Sequence, residues 1–88
     1  MAWRIEFLPE AAKELAKLDR TAAARIIKTL ETRIAVQDDP RSLGSTLTGD
    51  HAGYWRWQIG DYHVVARIED DRVLILVVRV AHRRGVYR

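Results

Sequence analysis

The sequence predicts an α+β domain: an N-terminal strand, an antiparallel helical hairpin, then a three-stranded antiparallel meander, with the helices packed on one face of the sheet. Three observations predict it. Apolar residues recur with the period of a helix between residues 9 and 36, but alternate with the period of a strand at 3–8 and again from 54 to 82. The later turns, Gly60-Asp61 and Asp70-Asp71, are short enough to demand antiparallel neighbours. The chain's 88 residues, 48% hydrophobic and 31% charged, suit one core and one domain spanning 1–88.

Trp3, Ile5 and Phe7 alternate with Arg4, Glu6 and Leu8 and read as a short strand that Pro9 ends. Proline suits the first turn of a helix, and Ala11, Leu15 and Leu18 then share one stripe of a helix over 9–18. Asp19 suits the N-cap of a second, longer helix reaching Val36. Its apolar face gathers Ala22, Ile26, Leu30 and Ile34, with Ala23 and Ile27 beside them. Gln37-Asp38-Asp39-Pro40 stops that helix, because proline disfavours helix at the residue before it. Residues 41–53, punctuated by Gly44, Gly49 and Gly53, read as a loop pinned by Leu43 and Leu47.

From Tyr54 the strand period returns, with Trp55, Trp57 and Ile59 on one side and Tyr54, Arg56 and Gln58 on the other. Gly60 supplies the positive φ of a two-residue hairpin turn. The next strand, 62–69, separates Tyr62, Val64, Ala66 and Ile68 from His63, Val65, Arg67 and Glu69. After Asp70-Asp71 the last strand, 72–82, sets Leu74, Leu76, Val78 and Val80 apart from Ile75, Val77, Arg79, Ala81 and Arg83. The first strand is expected at an edge or beside the last. The apolar sets bury against the helices, and the opposite face collects Tyr54, Arg56, Gln58, His63, Arg67, Arg79 and Arg83.

Charge sharpens this picture. Residues 1–50 are neutral, with eight Lys or Arg against eight acids, whereas 51–88 hold seven Arg, no Lys, four acids and all three His. The last ten residues alone carry Arg79, Arg83, Arg84 and Arg88 with His82 and Tyr87, and no carboxylate. Arginine grips phosphate with a planar two-pronged donor and stacks on bases, which lysine does not. A nucleic-acid partner is therefore expected. Tyr54 and Tyr87 are the candidates for base stacking, while Trp55 and Trp57 share the core parity of Ile59. His51 reads as a surface loop residue, and His82 as either a site rim or a structural residue.

Other chemistries find little support. The chain has no cysteine, hence no disulfide framework or thiolate metal site, and it has no His-x-x-x-His spacing. Adjacent acids at 38–39 and 70–71 read as a helix stop and a turn, and no glycine-rich loop joins a strand to a helix. No metal and no cofactor are expected. The longest apolar run, Val73 to Val78, is six residues, so no membrane partner is expected and a cytoplasmic location is.

Arginines with a tyrosine and histidines suit one reaction well. RNA brings its own nucleophile, the 2′-hydroxyl, so a protein need only orient it in line, stabilise charge on the phosphoryl oxygens and manage two protons. Arginine does the second task, and histidine or tyrosine the third.

Leu47-Thr48-Gly49-Asp50-His51-Ala52-Gly53, then Trp55-Arg56-Trp57, Gly60-Asp61-Tyr62 and Val80-Ala81-His82-Arg83-Arg84-Gly85-Val86-Tyr87 together resemble the RelE branch of the RelE/ParE toxin superfamily. The resemblance spans essentially the whole chain. It implies a type II toxin that enters the ribosomal A site and cuts mRNA there. It also implies a RelB-like antitoxin that wraps the toxin and, with it, represses their shared promoter, so that operator DNA is met through the complex. The family's transition-state arginine falls on Arg83, its C-terminal tyrosine on Tyr87 and its first basic strand residue on Arg56. Two positions depart: Gln58 and His63 stand where relatives carry basic residues. The catalytic set is thus expected at Arg56, His63, Arg83 and Tyr87, with Tyr54, Gln58, Arg67, Arg79, His82 and Arg84 contacting RNA. Two other readings stay open, a gyrase poison of the ParE branch and a partner that binds antitoxin and operator without cutting.

Overall fold

The computed structural model describes residues 2–85. Strand β1 (Arg4–Phe7) leads into helix α1 (Pro9–Ala16) and then helix α2 (Arg20–Thr29), whose last turn widens into a π-helical segment at Leu30–Ile34. Asp19 caps α2, its side chain accepting the Ala22 N–H at 3.3 Å. Four more strands follow: β2 (Ser45–Thr46), β3 (Trp55–Ile59), β4 (Tyr62–Glu69) and β5 (Leu74–His82). They form one mixed sheet in the order β1-β5-β4-β3-β2, antiparallel except that β1 lies parallel to β5. The chain is thus α+β, as expected, with β1 both at an edge and beside the last strand.

Both helices cover the same face. Ala11, Ile26, Leu30, Ile34 and Ala35 pack against Trp57, Ile59, Val64, Ala66, Ile75, Val77 and Val80 in one apolar cluster. Trp57 is buried within it, and its Nε1–H donates to the Pro40 carbonyl at 3.1 Å, which keeps the indole's one polar atom satisfied. Gly44 lies against that ring, where a Cβ would meet Trp57 Nε1 at 2.9 Å. Ile27, expected on the apolar face of α2, is 38% exposed.

Three expectations need correction. Strict alternation along β5 put Leu74, Leu76 and Val78 with the core; Leu74 is fully buried, but Ile75 and Val77 are the residues that join the cluster under the helices. The cause is a bulge: Val65 pairs with Arg79 and Ala66 with Val77, so Val78 has no partner and the parity reverses across it. The segment 41–53 is also more regular than a loop. It holds 3-10 turns at Pro40–Leu43 and Gly49–His51, and Ser45–Thr46 adds a fifth strand to the sheet edge. Likewise the turn at 70–71 is a 3-10 turn over Asp70–Arg72 closed by Val73 in the left-handed region at φ 49°. Arg41 ties the two regions together, its guanidinium bridging Asp39 and Asp70 and lying 5.9 Å from the Trp55 ring.

Candidate active site

The face opposite the helices is built from cross-strand rows. Gln58, His63 and Ala81 form one row, and Arg56, Val65 and Arg79 form the next. Arg83 follows the end of β5, where its N–H donates to the Asp61 carbonyl at 2.7 Å and its Nε lies 3.8 Å from Asp61 Oδ1. By this register His63 lies diagonally between Arg56 on β3 and Arg83 beyond β5. Arg67 is exposed one row further along β4.

His63 was expected to stand open among these cations, and that is corrected. It is only 9% exposed, the one buried polar side chain among the described residues, and its Nδ1 has no hydrogen-bond partner there. Burial, then Arg56, then Arg83, push the imidazolium below the ordinary histidine range. All three favour the neutral ring.

Arg79 is engaged from the helix side. It pairs with Val65 on the open face, but its Nε and Nη2 hydrogen-bond to both oxygens of Glu14 from α1, at 2.8–3.1 Å. Glu14 Oε1 also accepts the Val80 N–H at 2.8 Å, a donor left without a strand partner once β1 has ended at Phe7. Burial by itself would raise the Glu14 carboxyl, but the bonds from Arg79 and Val80 and the charges of Arg79 and Lys17 outweigh it and hold it below its usual range. Arg79 is thus a structural clamp on the end of β5. No periodicity in the sequence pairs Glu14 with Arg79, sixty-five residues away.

The remaining expected residues divide. Gln58 turns back on its own hairpin, donating from Nε2 to the Gly60 carbonyl at 3.2 Å. His82 stacks edge-on against Tyr62, ring centroids 5.4 Å apart, and its Nδ1 accepts the Arg84 N–H at 3.2 Å. That contact aims it at the helix-side rim and leaves the Arg84 side chain exposed. Tyr54 is half-buried at the start of β3, with its carbonyl accepting the Leu47 N–H. Tyr87 lies outside the described residues. The structure therefore brings Arg56, His63 and Arg83 together, keeps Arg67 and Tyr54 at the margin, and takes Arg79 and Gln58 into local contacts. Arg56 has no carboxylate partner among the described residues.

Such a site can hold an anion between two guanidiniums with a neutral proton acceptor at its centre. Residues 5–87 match a model of the ParE toxin of the type II toxin–antitoxin system parDE. Toxin RelG of Mycobacterium tuberculosis is 26% identical over 88 residues, covering 100% of this chain and 99% of the relative. Toxin RelE of the same organism is 27% identical over 86 residues, covering 98% of this chain and 87% of the relative. Among solved structures, the toxin–antitoxin complex RelBE2 from M. tuberculosis superposes with a TM-score of 0.85 at 24% identity, covering 94% of this chain and 93% of that one. A double arginine-to-alanine mutant of E. coli toxin RelE in the free state gives 0.72 at 25% identity, covering 97% and 87%.

Proposed function

Since the chain belongs to the ParE toxin family of type II toxin–antitoxin systems, and to the RelE branch of the RelE/ParE superfamily, we propose that it is a ribosome-dependent endoribonuclease that cuts mRNA in the A site. The observation that carries the reading is the pair of guanidiniums, Arg56 and Arg83, flanking His63 on the sheet face the helices leave open. A phosphodiester between them gains charge-assisted hydrogen bonds that strengthen as negative charge grows on the phosphoryl oxygens. The 2′-hydroxyl of the preceding nucleotide attacks phosphorus, the bond to the 5′-oxygen breaks, and a 2′,3′-cyclic phosphate and a 5′-hydroxyl result. The ribosome's part is to hold the RNA in the in-line geometry, a positioning gain that a shallow sheet face does not supply alone.

A RelB-like antitoxin is the partner this reading requires. An acidic or amphipathic segment laid over Arg56, Arg67, Arg83 and Arg84 would neutralise the site, with the salt dependence of cation clusters. Operator DNA is then met through the complex. The family model that spans 5–87 is named for ParE, which favours gyrase as the alternative target.

One experiment separates the readings. Purified toxin is added to ribosomes programmed with a defined mRNA, and 5′ ends are mapped; a parallel reaction follows DNA supercoiling by gyrase. Cuts within the A-site codon that need the ribosome support the proposal. Intact mRNA with inhibited supercoiling would move the chain to the gyrase reading, and inactivity in both would leave an antitoxin-binding partner.

A further inference from the structure

A buried imidazole without a hydrogen-bond partner, held between two arginines, has no structural use for its titratable proton. His63 fills its place at 9% exposure with Nδ1 unpartnered, and a leucine there would pack without that orphan atom. Arginines outnumber acids around it. Arg56 and Gln58 face it from β3, Ala81 and Arg79 from β5 and Arg83 from just beyond it, while Asp61 lies in the turn two residues before it and Arg67 four residues after it on β4. Arg79 is engaged by Glu14, and the Asp61 carboxylate lies 3.8 Å from Arg83. Burial, Arg56 and Arg83 thus favour the neutral ring in the free protein.

A phosphodiester changes that balance. Seated between Arg56 and Arg83, it offsets the two charges that exclude the proton, and it adds more negative charge as the 2′-oxygen attacks. We propose, resting on the phosphodiester reading above, that His63 is the general base of the reaction and that substrate binding itself arms it, because a phosphodiester in the Arg56–Arg83 site makes the still-neutral ring a stronger acceptor for the 2′-hydroxyl proton. The 2′-oxygen forms its bond to phosphorus as the ring's Nε2, Nδ1 being the buried nitrogen, takes the hydroxyl proton. The bond to the 5′-oxygen breaks, that oxygen takes a proton from water, and the imidazolium gives its own back to solvent once the anion leaves. The arginines thus serve twice, keeping the base neutral beforehand and stabilising the phosphoryl charge afterwards.

The test uses the wild-type chain and a 2′-deoxy trinucleotide, which supplies the phosphodiester but cannot be cut. The ring nitrogens of His63 are followed by ¹⁵N NMR across pH 5–8, with the Arg56 and Arg83 Nε signals reporting where the anion sits. The free protein should show a neutral ring that titrates below about 6.5, and saturation with the trinucleotide should raise the midpoint. On programmed ribosomes His63→Gln should slow single-turnover cleavage by roughly 10²-fold or more and remove the rising limb of the pH profile. Arginine signals that shift while the His63 midpoint stays put would overturn the arming and leave the phosphodiester site standing. Arginine signals that do not respond at all would remove both. A His63→Gln protein with wild-type rate and pH profile would eliminate the base.

Discussion

Replacing Glu14 with alanine should loosen the strand that delivers Arg83, and the structure sets the size of the effect. The carboxylate accepts three bonds from Arg79 and one from the Val80 N–H, with side-chain exposures of 22% for Glu14 and 43% for Arg79. At that exposure the freed guanidinium recovers water, so most of its attraction counts for little. The Val80 N–H is the larger loss, since an unsatisfied buried donor costs about 1–3 kcal/mol and a nearby water recovers part of it. A net loss of about 1–2 kcal/mol follows, which in a domain of this size lowers Tm by about 4–16 °C. Glu14→Gln keeps an acceptor for Val80 and should lose about half as much. The folded-state pKa of Glu14 lies below its ordinary value of 4.5. Its stabilisation is therefore complete above that value and is lost as pH falls through the lowered one. Calorimetry from pH 7 to pH 3 should show the gap between wild type and Glu14→Gln narrowing below about 4.5. A Glu14→Ala protein that melts with wild type at pH 7, or a gap that does not change with pH, would refute the clamp.

Other consequences follow from single contacts. Gly44→Ala puts a Cβ 2.9 Å from Trp57 Nε1 and 3.2 Å from the Arg56 carbonyl, around an indole fixed by its bond to Pro40, and should cost about 1–3 kcal/mol in urea denaturation. An unchanged midpoint would mean the ring moves aside freely. Arg83→Ala removes a side chain that is 49% exposed, so stability should stay within about 0.5 kcal/mol while ribosome-programmed cleavage falls by on the order of 10²–10³. Equal losses of stability and activity would make Arg83 a structural residue.

How much of this was legible beforehand depended on how local the cause was. The limits of β4, 62–69, match their expectation because Gly60-Asp61 and Asp70 punctuate a clean alternation, and Asp19 caps α2 for the same local reason. The bulge at Val78 was not legible, since nothing in Val77-Val78-Arg79 marks which residue loses its partner, and one unpaired residue reverses half a strand. The two-residue strand β2 is too short for any period to show. Arg56 and Arg83 could be placed on one face by parity alone. Parity does not reveal that α1 sends Glu14 to neutralise Arg79, nor that the row between the arginines closes over His63. Both are tertiary facts, and both change the chemistry assigned to the face.

The claim on which the rest depends is that the RNA supplies the nucleophile and the chain supplies the charges around it. The most direct measurement is cleavage of an mRNA carrying a single 2′-deoxynucleotide at the mapped cut site, held in the A site of programmed ribosomes and compared with the all-ribose message. The deoxy message should stay intact at that position while the ribose message yields a 2′,3′-cyclic phosphate and a 5′-hydroxyl. Cleavage of the deoxy message at an undiminished rate, or a 3′-hydroxyl end on the ribose product, would contradict it.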